Sequence, residues 1–200
     1  MKAIIIDVDG VLIKGKDEHG KYLWRENIKQ DLGLDPDLAS QVFMSNWSDV
    51  IKGCVDAKHY FTTVFNQLKI DVPVDTFIDY WLTHDLNINK EILPILSLLS
   101  NYKRYLGTNQ EQYRASFLQK TFGPYIDGIF CSYQIGAMKP EFEFFKHIET
   151  TLGLPAHEIA FIDDTLSHVT AASERGWVCH HYKNIEEFDD FVKSLLSQTA

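Results

Sequence analysis

The chain has 200 residues, of which 45% are hydrophobic and 13% aromatic, and this composition argues against an intrinsically disordered protein. A formal net charge of -9 disfavours nucleic acid and anionic membrane surfaces as partners. Cys54, Cys131 and Cys179 lack CxxC spacing, which argues against a disulfide framework and a structural zinc site. No apolar stretch is long enough to span a bilayer and the sequence begins directly with a predicted strand, so we expect a cytoplasmic protein.

The first predicted element is an apolar run at residues 3–6, which Asp7, Asp9 and Gly10 follow. The β-branched run predicts a buried parallel strand, and Gly10 allows a sharp turn after it. In open α/β sheets, ligands bind just beyond the carboxyl ends of the strands. The two aspartates are therefore candidate metal ligands or reacting groups. An Asp-Gly turn without a chemical role is the alternative that this stretch alone leaves open.

Residues 13–20 are polar and contain glycine, so we expect a flexible exit from the first strand instead of an immediate helix. Helical spacing of apolar residues over 23–84 then predicts about four helices. We interpret residues 16–86 as an inserted helical cap between two parts of an α/β core, 1–15 and 87–200. Trp24, Arg25 and Trp47 are candidate substrate contacts. Most aromatic residues of this segment are expected to pack together: Trp24, Phe43, Trp47, Tyr60, Phe61, Phe77, Tyr80 and Trp81.

From residue 89 onward, helix and strand patterns alternate. We predict strands at 102–106, 128–131, 158–162 and 177–180. We predict helices at 90–100, 110–122, 141–152, 166–175 and 186–196, with a loop at 132–138. Such alternation is typical of an α/β fold with a doubly wound parallel sheet and right-handed crossovers.

Polar residues stand at the ends of three predicted strands, and a lysine opens a later helix. They are Asp7 and Asp9, Thr108 and Asn109, Asp163 and Asp164, and Lys139. Because parallel strands end at one edge of the sheet, these residues are expected to converge. Carboxylates can hold Mg²⁺, a lysine and a hydroxyl can hold a phosphoryl group, and a carboxylate can attack phosphorus. Helix caps and a surface lysine are the alternatives for each position taken alone.

Four stretches of the sequence, in chain order, resemble the motifs of haloacid dehalogenase-like (HAD) hydrolases. They are Asp7-Val8-Asp9-Gly10-Val11-Leu12, Leu106-Gly107-Thr108-Asn109, Lys139-Pro140 and Phe161-Ile162-Asp163-Asp164. The resemblance covers the whole chain. It implies the phosphatase branch of the family, with a Rossmann-like core and a helical C1-type cap after the first strand.

The resemblance also implies roles for the residues at the strand ends. Asp7 would be the nucleophile, and Asp9 the general acid that protonates the leaving oxygen and then helps to activate water. Thr108, Asn109 and Lys139 would bind the phosphoryl group of the substrate.

A magnesium site is the second implication of the resemblance. Asp7, the backbone carbonyl of Asp9 and Asp164 would hold Mg²⁺, with Asp163 as a further or water-mediated ligand. Members often carry Asn or Asp four residues after the second acid of the fourth motif. This chain has His168 there, a departure that concerns the surroundings of the metal more than its ligands.

Together these residues predict a Mg²⁺-dependent phosphatase that hydrolyses a small phosphorylated metabolite through an aspartyl-phosphate intermediate. Dehalogenating members of the family lack a carboxylate at the position of Asp9, so Asp9 points to phosphate chemistry. A phosphomutase, such as a sugar-phosphate mutase, is one alternative. A non-catalytic phosphate-binding or regulatory protein on the same fold is another. The expected partner is a small phosphorylated substrate, without nucleic acid or membrane, and the sequence leaves the oligomeric state open.

Overall fold

The computed structural model describes residues 1–17 and 19–197. Its described residues form one five-stranded parallel sheet, in the order β3-β2-β1-β4-β5. The strands are β1 (Ala3–Ile6), β2 (Lys103–Thr108), β3 (Gly128–Cys131), β4 (Ile159–Asp163) and β5 (Val178–His181). The central strand β1 pairs Ile6 with Leu106 on one side and with Ile162 on the other. The predicted α/β fold is confirmed.

Helices cover both faces of this sheet. They are α6 (Ile92–Leu98), α7 (Gln112–Phe122), α8 (Ser132–Ile135), α9 (Phe142–Leu152), α10 (Leu166–Glu174) and α11 (Ile185–Ser197). Successive side chains of β1 point to opposite faces: Ile4 and Ile6 pack with residues of α6, α7 and α11, and Ile5 packs with residues of α9 and α10. The first strand is therefore buried on both sides, as its continuous apolar run predicts.

Two local predictions in this part of the chain were wrong. The expected loop at 132–138 begins with the one-turn helix α8, which Gly136 ends in a left-handed conformation, with its N–H donating to the Ser132 carbonyl. So short a helix leaves no apolar period in the sequence. Lys139 and Pro140 do not open α9, because this helix starts at Phe142. The Lys139–Pro140 peptide is cis.

The segment between β1 and α6 is helical. It contains a 3₁₀ turn (Leu23–Arg25) and the helices α1 (Ile28–Leu32), α2 (Pro36–Gln41), α3 (Trp47–Ile51), α4 (Ala57–Leu68) and α5 (Val74–His84). The sequence predicted about four helices, and the described residues contain five α-helices. The difference arises because α1 and α2 are separate short helices. Gly33 ends the first in a left-handed conformation, and the Asp35 side chain caps the second.

The predicted aromatic packing in this segment is confirmed. Phe61 and Phe77 are fully buried, and the other aromatic residues named above pack in or against the same cluster. Phe43 and Trp47 differ from the rest, because they are only partly buried. A separate hydrophobic cluster is consistent with an inserted cap, and its boundaries at residues 16 and 86 stay a prediction.

The two chain segments that connect the helical segment to the sheet pair with each other. Ile13 forms an antiparallel bridge with Ile88, the Lys14 N–H donates to the Asn87 carbonyl, and the Asn89 N–H donates to the Leu12 carbonyl. Ile13 is fully buried. The prediction of a flexible segment after β1 is therefore wrong at Ile13 and Lys14, because these residues pair with Ile88 and Asn87. None of the described helices has the length and apolarity needed to cross a membrane.

Candidate active site

A buried lysine lies between two carboxylates at the carboxyl edge of the sheet. The Lys139 Nζ atom is 2.8 Å from Asp7 Oδ1 and 2.7 Å from Asp163 Oδ2. Asp7 directly follows β1 and Asp163 ends the neighbouring strand β4. All three side chains are almost completely inaccessible to solvent. A buried ammonium is tolerated here because it pairs with two carboxylates that are equally costly to bury alone.

The environment separates the pKa values of the two aspartates. Burial raises the pKa of Asp7 well above its ordinary value, because Lys139 offsets only part of the desolvation and the Asp163 carboxylate adds to it. Burial also raises the pKa of Asp163, but Lys139 and His168 outweigh it and lower this pKa to about 2. Burial lowers the pKa of Lys139, and the two carboxylates more than compensate and raise it. Asp163 is thus the ionised counter-charge of Lys139.

Thr108 and Asn109 lie beside this cluster at the end of β2. The Thr108 hydroxyl is buried and has no hydrogen-bond partner within residues 1–17 and 19–197. Asn109 instead anchors the lysine: its Oδ1 accepts from the Lys139 N–H at 2.8 Å, and its Nδ2 donates to the Lys139 carbonyl at 2.9 Å. Thr108 therefore offers a free hydroxyl to a ligand, while the Asn109 side chain positions Lys139.

Asp164 approaches the backbone of the first motif. A Cβ atom built on Gly10 would lie 2.0 Å from Asp164 Oδ2, and Gly10 has a positive φ of +83°. Only glycine fits at this position. Asp164 is also more exposed than Asp163, and its Oδ1 accepts from the Thr165 hydroxyl at 3.3 Å. Its carboxylate is therefore accessible to a cation beside the loop that follows Asp7.

The oxygen atoms at this edge fit a magnesium ion. Ligand atoms of Asp7, Asp163 and His168 lie within 4.8 Å of one another. Asp164 is outside this group of three, and its carboxylate is the exposed one at this edge. Mg²⁺ prefers oxygen ligands and keeps several waters. Asp163 is the least available of these, because it already accepts from Lys139 and from the Thr165 N–H, and His168 Nδ1 lies 3.1 Å from both of its oxygens. His168 thus contacts both carboxylate oxygens of Asp163.

Three residues at the site were missed by the sequence reasoning. The Arg114 Nη2 atom is 2.6 Å from Asp9 Oδ1, and Gln110 Nε2 donates to Asp9 Oδ2. Arg114 also pairs with Asp85, which directly follows α5. Burial raises the pKa of Asp85 to about 6, although Arg114 acts in the opposite direction. Asp9 is therefore held by residues of the core, and Arg114 connects it to the helical segment.

One signal in the sequence points to Arg114. In α7 it shares the buried face with Leu118 and Phe122, which follow at intervals of four residues. A charged residue at such a position is rarely buried without a partner. The partner itself could not be found this way, since Asp85 reaches Arg114 only through the packing of α5.

The site opens into a cavity of about 760 Å³. Its lining from the core includes six of the seven predicted site residues: Asp7, Asp9, Thr108, Asn109, Lys139 and Asp164. Asp163 lies beneath them, fully buried. Trp24 and Trp47 of the helical segment also line this cavity. Arg25 is absent from the described lining residues, and its Nη1 instead donates to the Pro36 carbonyl at 3.2 Å and to the Ser40 hydroxyl.

Gly10→Ala is expected to weaken Mg²⁺ binding by about tenfold or more, because the added methyl group displaces the Asp164 carboxylate. Titration calorimetry with Mg²⁺ measures this effect. Gly33→Ala is the matched control, since Gly33 also has a positive φ, +67°, but a Cβ atom built on it would meet nothing within 4 Å. Both variants lose about 1 kcal/mol of stability from backbone strain. Equal Mg²⁺ affinity in the two variants would contradict the placement of Asp164.

The chain is thus an α/β protein with a cluster of carboxylates and one lysine at the carboxyl edge of its parallel sheet, and part of its inserted helical segment lines the same cavity. A family model described as haloacid dehalogenase-like hydrolase matches residues 1–176. The chain belongs to the haloacid dehalogenase-like hydrolase family.

Solved structures share the fold at low sequence identity. The HAD family enzyme BT-2542 of Bacteroides thetaiotaomicron, in complex with magnesium and inorganic phosphate, is 23% identical, with a TM-score of 0.73 over 92% of this chain and 94% of that chain. The L-2-haloacid dehalogenase of Xanthobacter autotrophicus, with chloropropionic acid covalently bound, is 15% identical, with a TM-score of 0.66 over 90% of this chain and 76% of that chain. Similarity at this level shows the fold alone.

A curated relative matches a shorter part of the sequence. The sesquiterpene phosphatase astK of Aspergillus oryzae is 42% identical over 55 residues, which are 28% of this chain and 28% of the relative. The match thus spans little more than a quarter of either protein.

Proposed function

We propose that this protein is a Mg²⁺-dependent phosphatase that hydrolyses a small phosphorylated metabolite. The observation that carries the proposal is the buried Lys139 ammonium beside Asp7, in the same cavity as the Thr108 hydroxyl, which has no hydrogen-bond partner among the described residues. A cation and a free donor beside a carboxylate suit the oxygens of a phosphoryl group. The magnesium and phosphate bound to BT-2542 and the phosphatase activity in the name of astK support the same reaction. The proposal includes a cytoplasmic location and, given the net charge of -9, no nucleic acid or membrane partner.

In the proposed mechanism, Asp7 attacks the phosphorus atom of the bound ester. The Val8 N–H and Lys139 both contact Asp7 Oδ1, which leaves Oδ2 without a hydrogen bond in the described part of the chain and available for attack. The ester bond to the leaving oxygen breaks, and that oxygen takes the proton of the protonated Asp9 carboxyl, which becomes a carboxylate. A water molecule, deprotonated by Asp9, then attacks the phosphoryl group on Asp7 and releases inorganic phosphate.

Other residues stabilise the phosphoryl group during both steps. Lys139 offsets its negative charge, and the Thr108 hydroxyl donates a hydrogen bond to one of its oxygens. Mg²⁺ bound by Asp7, Asp164 and the Asp9 carbonyl would neutralise further charge. Asn109 keeps Lys139 in place through its two backbone contacts.

Asp9 must exchange a partner before it can transfer a proton. Both of its oxygens are occupied, one by Arg114 and the other by Gln110. A leaving group or water at Asp9 therefore replaces at least one of these contacts. Gln110, a neutral donor, is the weaker of the two partners.

Hydrolysis of p-nitrophenyl phosphate with Mg²⁺ tests the proposed function. A phosphatase releases p-nitrophenol and inorganic phosphate with saturation kinetics. Saturable phosphate binding without release would identify a binding protein, and isomerisation of a phosphosugar would identify a mutase. Release of halide from 2-chloropropionate, without phosphate release, would identify a dehalogenase. Each of the last three results would replace the proposal.

Removal of Mg²⁺ with a chelator is expected to abolish activity, and Ca²⁺ is expected to inhibit, because it accepts more ligands at longer distances than Mg²⁺. Asp164→Ala should lower the apparent Mg²⁺ affinity more than Asp163→Ala, since Asp163 already accepts from Lys139 and Thr165. Activity measured against Mg²⁺ concentration gives both values. Full activity in excess chelator would remove the metal from the mechanism.

A further inference from the structure

The helical segment contributes an aromatic wall to the lining of the cavity, defined here as Trp24, Phe43, Trp47 and Trp81. Phe43 is at the centre of the wall. Its ring centroid lies 4.9 Å from that of Trp47, 5.0 Å from that of Trp81 and 5.8 Å from that of Trp24. Because each of the other three rings contacts Phe43, the four rings form one continuous apolar surface.

The aromatic wall is supported from behind. Phe61 is fully buried, and its ring centroid lies 5.8 Å from that of Phe43 and 5.4 Å from that of Trp47. Phe77, also fully buried, lies 6.2 Å from Phe43. The wall is therefore preorganised, while Phe43 and Trp47 stay partly accessible from the cavity. An apolar group can bind there without ordering the surrounding side chains.

Lys14, Lys16 and Tyr22 also line the cavity, whereas two other polar side chains of the lining, Ser40 and Arg114, already have partners. Ser40 lines the cavity near the wall, but its hydroxyl already donates to the Pro36 carbonyl at 3.1 Å and accepts from Arg25. The charge of Arg114, whose guanidinium carbon is 5.5 Å from the Trp81 ring, is offset by Asp9 and Asp85. The unpartnered buried side-chain atoms lining the described cavity belong to Thr108, Arg114 and Asp85, and none belongs to the wall.

Two parts of the cavity lining thus differ in polarity. Lys139 and Thr108 suit a phosphoryl group, whereas the aromatic wall suits a hydrocarbon. A hydrocarbon gains more than a sugar from contact with the wall, because any sugar hydroxyl that faces the rings loses its hydrogen bonds to water. The volume of about 760 Å³ falls within the range of pockets that hold drug-sized ligands.

We propose that the aromatic wall binds the leaving group, and that the substrates are phosphate monoesters of apolar alcohols with aliphatic or aromatic carbon skeletons. This inference rests on the proposed phosphatase function and names its substrate class. Phosphoryl binding at Lys139 fixes one end of the ester, and burial of the hydrocarbon against the wall supplies the affinity that distinguishes it from polar esters.

A series of alkylphosphonates from methyl to octyl, which cannot be hydrolysed, tests the pocket directly. In the presence of Mg²⁺, titration calorimetry is expected to show an affinity gain of about threefold for each added methylene until the wall is covered. Octylphosphonate should bind at least about a hundredfold more tightly than methylphosphonate. A flat series would overturn the inference.

Propyl phosphate and glycerol 1-phosphate form a matched pair of substrates, because they differ only in two hydroxyls. We expect the kcat/KM for propyl phosphate to be at least about tenfold higher. Equal or higher kcat/KM for glycerol 1-phosphate would overturn the apolar pocket and leave the phosphatase function intact. Chain-length-dependent phosphonate binding without hydrolysis of any ester would overturn the phosphatase function and leave the pocket intact. Absence of phosphonate binding would overturn both.

Phe43→Ala tests the centre of the aromatic wall. It is expected to reduce the ratio of octylphosphonate to methylphosphonate affinity by about tenfold or more, because it removes the ring that joins the other three. Phe142→Ala is the control: this exposed phenylalanine packs on Arg175 and is not among the described residues that line the cavity. An unchanged ratio in Phe43→Ala would contradict binding of the leaving group at the aromatic wall. If this variant does not fold, the phosphonate series measured on the wild-type protein still tests the proposal.

Discussion

Asp7→Asn is expected to lower phosphate release by at least about a thousandfold, because the amide has nearly the same shape as the carboxylate but cannot attack phosphorus. The fold should be retained. Burial already disfavours a charge at this position, and an amide oxygen can still accept from the Val8 N–H and Lys139. Phosphate release and thermal unfolding, measured on the same preparation, check the two expectations.

Asp127→Asn is the control for the Asp7 variant. Asp127 pairs with Lys103 near the protein surface, far along β2 from the site, and its substitution should leave turnover unchanged. Retained activity in Asp7→Asn would show that Asp7 is not the nucleophile. So would a trapped phosphoryl group that mass spectrometry locates on any other residue of the wild-type protein.

Lys139→Met is expected to abolish activity and to lower the free energy of unfolding by about 3 to 5 kcal/mol at neutral pH, because two buried carboxylates lose their common cation. Lys103→Met removes a lysine whose side chain is 68% exposed, so its cost should stay below about 1 kcal/mol. Urea unfolding of the wild type and both variants measures the difference. A similar loss for the two variants would show that Lys139 is not a buried counter-charge.

The loss of unfolding free energy in Lys139→Met is expected to change with pH in one direction. In the wild type, the pKa of Asp163 is lowered to about 2, so its stabilising contribution is complete above the unfolded-state pKa near 4 and is lost as the pH falls through about 2. The folded-state pKa of Asp7 is already raised by burial in the wild type. Without Lys139, we expect burial to raise the pKa of Asp7 further and to raise that of Asp163 above its unfolded value as well. The folded variant then binds more protons than the unfolded chain, and its stability deficit shrinks as the pH falls from neutral toward about 4. A deficit that grows over this range would refute the explanation.

The convergence of the site could be predicted because it depends on a general property of the fold. Asp7, Thr108 and Asp163 are placed by the register of three adjacent parallel strands. A local apolar run indicates β1 and β4, whereas β2 begins with Lys103 and Arg104 and is indicated by the alternation of helices and strands. The strands extend slightly further than predicted, so that Thr108 and Asp163 are within them and pair with Cys131 and His181. Polar residues at the end of a strand interrupt the apolar pattern before the hydrogen-bonded ladder ends.

The contact of Arg114 with Asp85 could not be predicted, because it depends on how the core and the inserted segment pack together. Arg114 belongs to a core helix and Asp85 follows the last helix of the inserted segment, and no local pattern relates them. The same reason explains the aromatic wall. The sequence indicates that its rings are buried, but only the structure shows that Phe43 and Trp47 face a cavity as well as a core.

The pairing of Ile13 with Ile88 has a consequence for how such a protein can diverge. The chain leaves the sheet and returns to it at one place, because residues 13 and 14 pair with residues 88 and 87. The segment between them is therefore a single loop whose two ends are hydrogen-bonded to each other. The entropy of closing such a loop rises only with the logarithm of its length. A longer, shorter or differently built segment can therefore be exchanged at this junction while the strand order and the residues around Lys139 are kept. The residues around Lys139 and the residues of the inserted segment can therefore change independently during evolution.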